Sequence, residues 1–278
     1  FNVIGCSNRK IEGLKKVNWN SKKETENLLE ATDVVVNCAG RDIHRSKLKT
    51  KAMNSNSYFP QKLMKVAERK NVKLFIFISS FHVYKKNLFR IDEKSPLNKD
   101  NNYSLSKIDG ENKVQKLSKN TQVLIIRSCN LFGHPFYKNK NCWNLLFNNL
   151  VRTTLKKKTA YIKSNVDLYR NYSSIENFCY FIKKIINLKN NNKLNLPKII
   201  NYTTNNNLPI SKVAINILKN LRKVYKNKKF DIVFKNKKII NSQKIIFSSK
   251  FQSRLNFNID KYFNTEIKNL ILYCKKNF

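Results

Sequence analysis

The sequence predicts an α/β protein in which helices cover both faces of an open parallel sheet. Its clearest apolar run, Leu74-Phe-Ile-Phe-Ile78, resembles Val123-Leu-Ile-Ile-Arg127 later in the chain, and stretches with helical apolar spacing lie between such runs. Short runs rich in β-branched and aromatic residues are typical of strands buried on both faces. Because strands and helices alternate, we expect a parallel sheet whose ligand lies outside the carboxyl ends of the strands.

The first part of the chain carries most strands of this predicted sheet. In order, we predict a strand over residues 1–6, a helix over about 23–30 capped by Ser21, a strand over 33–38, a helix over about 53–70, the strand at 74–78, a helix from Tyr103 and the strand at 123–127. A Ser hydroxyl suits the cap because it can accept a hydrogen bond from the first turn of a helix. The loops that leave the strands, 7–9, 37–40, 79–83 and 128–133, carry polar residues, so we expect them to face the ligand.

After His134 the pattern changes to shorter, interleaved elements. We predict helices over about 143–155, 175–188, 211–225 (capped by Ser211) and 265–274, strands near 160–162, 198–202 and 230–234, and a polar loop at 190–193. These pieces are too few and too interleaved for an independent domain. We therefore predict a core over residues 1–133, and over residues 134–278 mainly a small lobe that closes over the crevice, with some segments returning to the core.

The net charge of the chain is +39, from 56 Lys and Arg against 17 Asp and Glu. One interpretation is a polyanionic partner, since lysines that neutralise phosphates release counterions. However, the lysines are spread along the whole chain together with many Asn, Ile and Phe residues, and they never form one dense basic arm. We therefore favour a solvated surface of biased composition and do not expect a nucleic-acid partner.

The cysteines and histidines do not suggest a metal site. Cysteines at 6, 38, 129, 142, 179 and 274 lack C-x-x-C spacing, and histidines at 44, 82 and 134 share no ligand spacing. Several cysteines lie in apolar runs, so we expect reduced thiols in a cytoplasmic protein. No run of 18 apolar residues exists, so we expect no membrane span. Because the chain starts at Phe1 within a predicted strand, we expect further sequence upstream. A targeting signal in that upstream sequence is not excluded.

Tyr103 and Lys107 are the strongest candidates for chemistry. They are four residues apart, so on a helix they share one face. A free phenol has a pKa of about 10, and a lysine ammonium within a few Å lowers it by roughly 1 to 3 units, which lets a tyrosine exchange a proton with a hydroxyl or carbonyl. Ser80, at the carboxyl end of the preceding strand, could hydrogen-bond the same oxygen.

Spacing alone does not select this pair. Four Tyr-x-x-x-Lys matches occur, at Tyr58/Lys62, Tyr103/Lys107, Tyr180/Lys184 and Tyr225/Lys229. Only Tyr103 follows a buried strand that ends in Ser79-Ser80. The sequence context therefore predicts Ser80, Tyr103 and Lys107 as catalytic residues, whereas Ser79 is expected only to end its strand.

Six segments in chain order carry a further pattern. They are Asp33-Val-Val-Val-Asn-Cys-Ala-Gly40, Asn56 with the helix after it, Phe77-Ile-Ser-Ser-Phe-His-Val-Tyr84, the Tyr103/Lys107 pair, Arg127-Ser-Cys-Asn-Leu-Phe-Gly133 and Arg170-Asn-Tyr-Ser-Ser-Ile-Glu-Asn177. Together they resemble the extended short-chain dehydrogenase/reductases, in the NAD-dependent epimerase/dehydratase branch that acts on nucleotide sugars. The resemblance covers about residues 1–207, and the order of the motifs is more specific than any one of them.

This resemblance implies a Rossmann-type, doubly wound parallel sheet with a small C-terminal substrate-binding lobe. It makes Tyr103 the acid/base on a sugar hydroxyl or keto group and Ser80 the group that polarises the substrate oxygen. Lys107 would lower the pKa of the phenol and hold the nicotinamide ribose. The implied partners are a nucleotide-sugar substrate and a second copy of the chain in a homodimer.

The resemblance also implies which residues bind cofactor and substrate. For the cofactor they are Arg9, Asn37, Cys38, Ala39, Gly40, Asn56, Tyr103 and Lys107, and for the substrate they are Ser80, Phe81, His82, Asn130 and Arg170. Three of these have structural alternatives. His82 could be a structural or surface residue, and Asn130 a turn residue. Arg170 could simply pair with Asp167 or Glu176 at a helix start.

The sequence departs from the family pattern at three places. The glycine-rich loop that binds pyrophosphate at a helix amino-terminus is absent, and we interpret this as truncation before the strand at 1–6. Arg9 stands where NAD-preferring members usually have an acidic residue; it could meet a 2′-phosphate, which slightly favours NADP over NAD. Ser80-Phe-His82 replaces the Thr-Asp-Glu of sugar 4,6-dehydratases, so water elimination is not expected.

These expectations define the predicted function. We expect an NAD(P)-dependent nucleotide-sugar epimerase or ketoreductase that couples proton transfer to hydride transfer. The alternative is a non-catalytic relative that keeps the Rossmann-type fold for binding, with a polyanion as its candidate ligand.

Overall fold

A computed structural model describes residues 1–85, 88–136, 142–163, 168–190, 195–226, 228–235, 245–255, 257 and 259–278. Two units can be distinguished by their internal contacts. The first unit contains Phe1–Lys85, Pro96–Arg127 and Leu196–Ile200, and the second contains Lys86–Ser95, Ser128–Asn195 and Asn201–Phe278.

The described residues form both strands and helices. The strands are β1 (Cys6–Ser7), β2 (Lys15–Lys16), β3 (Val34–Asn37), β4 (Leu74–Ser80), β5 (Arg90–Ile91), β6 (Gln122–Ser128), β7 (Asn130–Phe132), β8 (Thr159–Ile162), β9 (Tyr169–Ser174), β10 (Ile199–Tyr202), β11 (Asn207–Pro209), β12 (Asp231–Phe234) and β13 (Ile246–Phe247). The α-helices are α1 (Lys22–Leu29), α2 (Lys49–Met53), α3 (Phe59–Arg69), α4 (Asn102–Leu117), α5 (Leu146–Lys157), α6 (Ile175–Asn190), α7 (Ile210–Val224), α8 (Lys250–Arg254) and α9 (Phe263–Asn277).

The first unit is built on a sheet with the strand order β10-β6-β4-β3. Strands β3 and β4 are parallel, with Val34 opposite Leu74 and Asn37 opposite Phe77. Strand β4 is buried along its length except for the half-buried Ile78, and β6 is buried after Gln122. The predicted α/β class with a parallel sheet is confirmed, and the carboxyl ends of β3 and β4 lie side by side.

The core of the first unit packs α1, α3 and α4 with this sheet. Helix α3 contributes an apolar face to this core, because its buried residues include Leu63, Met64, Val66 and Ala67. The predicted cap of α1 is confirmed: Ser21 Oγ accepts a hydrogen bond from the backbone N–H of Glu24 at 3.2 Å. Local pattern and tertiary packing therefore agree in this unit.

The helix predicted over 53–70 begins earlier and contains a π turn. Helix α2 continues into a π-helix at Asn54–Tyr58, which continues as α3. The N–H of Phe59 donates to the carbonyl of Asn54, and Pro60 has no N–H to donate to the carbonyl of Asn56. Helix α4 packs against that carbonyl so closely that a Cβ at Gly110 would overlap its oxygen. The π turn therefore lies where helix α4 packs against the segment formed by α2 and α3.

The second unit contains a three-stranded sheet of order β11-β9-β7 and a parallel pair of β8 with β12. Strands β7 and β9 are parallel, whereas β9 and β11 are antiparallel. Its core joins α5, α7 and α9, with Phe132, Phe147 and Ile267 among its most buried side chains. The predicted strands near 160–162 and 230–234 are confirmed as β8 and β12. No helix among the described residues is long and apolar enough to cross a membrane.

The strand predicted over 1–6 is much shorter in the structure. Only β1 forms, in parallel with β2. Phe1 and Val3 are 67% and 80% exposed. An apolar run becomes a strand only where a neighbouring strand can bond to its backbone, and in the described part of the chain the backbone bonds of this run begin at the carbonyl of Gly5.

Two predictions on the later elements are wrong. The polar stretch 128–133 was expected to be a loop, but Asn130–Phe132 is strand β7, because its backbone finds a partner in Tyr172–Ser174. Ser211 does not cap α7, which begins at Ile210 with Pro209 in the cap position and no side-chain cap. The polar loop predicted at 190–193 lies outside the described residues after Asn190.

Candidate active site

Tyr103 lies in the first turn of α4, in the first unit. Asn101 is the N-cap, and its side-chain oxygen accepts a hydrogen bond from the N–H of Ser104 at 2.9 Å. The Ser80 hydroxyl lies close enough to the Tyr103 hydroxyl to lower its pKa. Desolvation raises the pKa of Tyr103; Ser80 opposes this rise, whereas the nearby carboxylate of Asp42 adds to it. The phenol is therefore held in its protonated form.

Lys107 lies one turn after Tyr103 on the same helix and is only 6% exposed. Its Nζ donates a hydrogen bond to the carbonyl oxygen of Ile78 at 2.9 Å and lies 5.0 Å from the centroid of the Phe77 ring. Burial lowers the pKa of Lys107 to about 8, although Glu111 and Cys38 favour the charged form. An ammonium has three donors, so Lys107 retains donors for a ligand.

Ser80 ends strand β4 at the carboxyl edge of the sheet. Its side chain is buried and accepts a hydrogen bond from the N–H of His82 at 3.3 Å. The His82 ring stands edge-on to the Tyr103 ring, with their centroids 6.1 Å apart, and the Phe81 ring lies 4.1 Å from the His82 ring. The structure thus brings Ser80, Tyr103 and Lys107 together, with two further predicted substrate residues beside them.

The predicted cofactor residues after β3 lie next to this cluster. A Cβ at Gly40 would lie 2.7 Å from Asn56 Oδ1 and 3.3 Å from Lys107 Nζ. Asn37 is 3% exposed; its Oδ1 accepts from the N–H of Ala39 at 3.1 Å, and its Nδ2 has no hydrogen-bond partner among the described residues. The close approach at Gly40, the unpaired amide and the remaining donors of Lys107 fit a ribose rich in hydroxyl groups.

Asn56 connects the π turn to this loop. Its Oδ1 accepts from the backbone N–H of Arg41 at 2.8 Å, and its Nδ2 donates to Ser106 Oγ at 3.0 Å. Cys38 is exposed and lies close enough to Lys107 to influence its charge. Arg9 lies after β1 with an exposed side chain, and its backbone N–H donates to Ser7 Oγ at 3.1 Å. The contacts of the described residues do not join Arg9 to the Tyr103 cluster.

Asn130 and Arg170 both lie in the second unit, apart in the chain from the Tyr103 cluster of the first unit. Asn130 is in strand β7, not a turn, and its Nδ2 donates to the carbonyl of Asn171 at 3.0 Å. Arg170 is half-buried in β9, and its charge opposes the burial that raises the pKa of Tyr172 to about 12. Arg170 forms no ion pair with Glu176 or another described residue, and Asp167 lies outside the described part of the chain.

Sequence reasoning missed the buried network behind the site. Glu111 and Arg127 form an ion pair at 2.6 Å, with 3% and 4% of their side chains exposed. Ser79, expected only to end its strand, is buried within β4 and donates a hydrogen bond to Glu111 Oε1. Arg127 Nη1 donates to the hydroxyl of Tyr84 at 3.0 Å. The sequence held one sign of this network: Glu111 follows Lys107 by four residues and so lies on the helix face that bears Tyr103.

No group of three or more His, Cys, Asp and Glu side chains in the described part of the chain could hold a metal ion. The cluster of Ser80, Tyr103 and Lys107 lies at the carboxyl edge of a parallel sheet. This fold and this cluster agree with the class of enzymes that the sequence resembles, the extended short-chain dehydrogenase/reductases.

The family can also be stated. The sequence model of the NAD dependent epimerase/dehydratase family matches residues 2–201, which is most of the chain, and the chain belongs to this family. A search of curated proteins gave no match. The family assignment therefore depends on the family-wide pattern and not on one close relative.

Solved structures of this fold match at low sequence identity. An NAD dependent NDP-hexosamine 5,6-dehydratase, TunA, is 17% identical with a TM-score of 0.70, covering 91% of this chain and 80% of its own. MoeE5 in complex with UDP-glucose and NAD is 14% identical with a TM-score of 0.76, covering 99% and 91%. The UDP-glucuronic acid 4-epimerase from Bacillus cereus in complex with NAD is 16% identical with a TM-score of 0.75, covering 95% and 81%. At these identities the likeness establishes the fold.

Proposed function

We propose that this protein is an NAD(P)-dependent nucleotide-sugar epimerase or ketoreductase that moves protons through Ser80, Tyr103 and Lys107. The observation that carries the proposal is the convergence of the three side chains: Ser80 lies close enough to Tyr103 to lower its pKa, and Lys107 follows one helical turn later. A phenol, a hydroxyl and an ammonium in this order form a proton-transfer system for an alcohol or a ketone.

Each residue has a separate role in the proposed reaction. Tyr103 gives its proton to the oxygen of a keto sugar, or as phenolate takes the proton of a sugar hydroxyl. Ser80 donates a hydrogen bond to the same oxygen and stabilises the charge that develops there. Lys107 is proposed to stabilise the phenolate by its charge during the reaction. In the structure the pKa of Tyr103 is raised, because desolvation outweighs the influence of Ser80.

The proposed cofactor is NAD or NADP. Residues that would hold its nicotinamide ribose are Lys107 and Tyr103, with Asn37, Cys38, Ala39, Gly40 and Asn56 around them. When bound, a nicotinamide cofactor would accept or supply the hydride of the sugar carbon. Arg9 could meet a 2′-phosphate, which favours NADP, whereas MoeE5 and the Bacillus cereus epimerase are complexes with NAD.

The proposed substrate is a nucleotide sugar. MoeE5 was solved with UDP-glucose and also with UDP-glucuronic acid, which supports this class. We assign Phe81 and His82 to the sugar side of the site, and Asn130 and Arg170 to the nucleotide side, where a guanidinium suits a phosphate. We further propose that residues 1–133 mainly bind cofactor and 134–278 mainly substrate, in a cytoplasmic homodimer.

The first test is Tyr103→Phe in a turnover assay. We expect a loss of about 10² to 10⁴-fold in turnover, because the phenyl ring cannot transfer a proton. Binding of NAD or NADP, measured by calorimetry, should change little. The assay would use UDP-glucose and UDP-glucuronic acid with each cofactor, and product epimers would be separated by chromatography.

Tyr58→Phe is the matched control. Tyr58 also precedes a lysine by four residues, but it is 48% exposed and its ring lies under Lys113 Nζ at 4.0 Å. Its replacement should leave turnover unchanged. Equal activity of the two variants would show that Tyr103 is not the acid/base.

A further inference from the structure

The last three residues of strand β4 each lie against one residue on a single face of α4. Ile78 and Ser79 are hydrogen-bonded to Lys107 and Glu111, and Ser80 lies close enough to Tyr103 to lower its pKa. Positions 103, 107 and 111 are four residues apart, so they are neighbours along the helix. Two of these helix residues belong to the proposed proton-transfer system, and the third, Glu111, has no role in it so far.

Glu111 is fixed from two sides. Arg127 Nη2 lies 2.6 Å from Glu111 Oε2, and Arg127 Nε lies 3.1 Å from Oε1. Ser79 Oγ donates to the same Oε1. Burial disfavours the charged guanidinium, but Glu111 beside it raises the pKa of Arg127 above its usual range. The carboxylate thus binds the ends of two neighbouring strands, β4 and β6, to helix α4.

We propose that Glu111 is a positioning residue that fixes the end of strand β4 against helix α4 and thereby sets the place of Ser80 relative to Tyr103 and the charge of Lys107. The proposal rests on the proposed function of Tyr103 and Lys107. A small shift of β4 along α4 would separate the Ser80 and Tyr103 hydroxyls, and misplacement by about 1 Å can cost a reaction about a hundredfold.

The charge of Lys107 depends on groups from three elements. Glu111 lies on its own helix and Cys38 follows β3, and both favour the charged form. Arg127 on β6 partly neutralises Glu111. Burial lowers the pKa of Lys107, whereas Glu111 is the larger of the two groups that raise it. Removing the charge of Glu111 therefore moves the titration of Lys107 to lower pH.

The test is a pH titration of the full chain labelled with ¹³C at the lysine ε-carbons and followed by NMR. The Lys107 resonance would be assigned by its loss in Lys107→Met. In Glu111→Gln we expect its midpoint to fall below that of the wild type. Turnover at pH 7.5 should fall about tenfold to a hundredfold, with the KM for the nucleotide sugar nearly unchanged.

Asp109→Asn is the matched control on the same helix. Asp109 is a partly exposed carboxylate, paired with Lys113 at 2.6 Å and hydrogen-bonded to Ser57. Its replacement should leave the Lys107 midpoint and turnover unchanged. The proposal would be overturned if Glu111→Gln folds and has the same Lys107 titration midpoint and the same turnover as Asp109→Asn.

Glu111→Asp keeps the proposal testable if Glu111→Gln does not fold. The shorter carboxylate retains its charge but lies farther from Ser79, so we expect partial rescue: a midpoint and a turnover below those of the wild type. Wild-type values for both quantities would overturn the proposal. Since the titration needs no substrate, a wild-type chain without turnover would refute the proposed function and leave the titration to decide the role of Glu111.

Discussion

Lys107 is the residue whose chemistry is changed most clearly by its surroundings. Burial lowers its pKa from 10.5 to about 8. Between these two pH values the unfolded chain still binds the proton that the folded chain has lost, so the contribution of Lys107 to folding stability rises with pH in this window. Below about pH 8 the folded protein keeps a buried cation beside Tyr103, which the proposed reaction requires.

The pH dependence of turnover follows from this pKa. We expect kcat/KM to fall as the pH rises through about 8, because Lys107 then loses the charge that stabilises the phenolate. The measurement is a pH profile from 6 to 10 at constant ionic strength, with folding checked by circular dichroism at each pH. A rate that stays constant up to pH 9.5 would contradict this role for the lysine.

The residues of the proposed chemistry could be predicted from the sequence. The buried residues that pack and hydrogen-bond behind them could not. Tyr103 and Lys107 have the right spacing, and Ser80 ends an unmistakably apolar strand. Glu111 looks like a solvated charge in the sequence, because glutamate on a helix is usually exposed. Only folding shows that Ser79 and Arg127, which are distant in the chain, bury and pair with it.

At the scale of elements, the contact between α4 and the π turn determines how the Tyr103 helix is placed. Gly110 allows this contact, because any side chain there would meet the carbonyl of Asn56, and the Phe77 ring would lie 3.2 Å from the added Cβ. Two effects of a substitution oppose each other here. Alanine is a better helix former than glycine by about 1 kcal/mol, but overpacking costs about 1–3 kcal/mol.

Gly110→Ala should therefore destabilise the protein, although alanine has the higher helix propensity. We expect a lower midpoint of thermal unfolding, measured by differential scanning calorimetry. Asn112→Ala is the control, because Asn112 is an exposed residue of the same helix and gains propensity without a clash. The explanation fails if both substitutions stabilise the protein to a similar extent.

Element boundaries show where sequence reasoning reaches its limit. Helix α1 was predicted nearly to the residue, since its cap and its apolar spacing are local features. Strand β7 and strand β11 were not predicted, because each has only three residues and forms only by pairing with β9. The π turn was also missed: one regular helix was predicted over about 53–70, whereas the helical segment begins at Lys49 and contains the π turn before Pro60.

At the scale of the whole molecule, the excess of positive charge is too large for internal pairing. The 17 acidic residues could neutralise at most 17 of the 56 Lys and Arg residues. Several lysines instead lie over aromatic rings, such as Lys156 Nζ at 4.3 Å from the centroid of Phe278. Lysines remain exposed in both units, which agrees with a solvated basic surface and does not by itself indicate a specific partner.

Binding to nucleic acid should therefore be weak and strongly dependent on salt. At about 0.15 M salt we expect a dissociation constant no tighter than about 10⁻⁶ M for single-stranded or duplex DNA, as for other non-specific basic proteins. Fluorescence anisotropy over a salt series would measure it, with Tyr103→Phe as a variant of equal charge. Nanomolar affinity at this salt, together with no turnover of nucleotide sugars, would instead support the non-catalytic alternative.

The π turn at Asn54–Tyr58 also limits how this protein can change in length. It accommodates one residue more than regular α-helical winding would. Deleting a single residue there would restore regular winding and rotate the preceding turn by about 100° about the helix axis. Ala52, now fully buried, would leave its packing position. A change of one residue in the length of this segment would therefore force the neighbouring packing to rearrange, whereas a substitution would keep the helical phase.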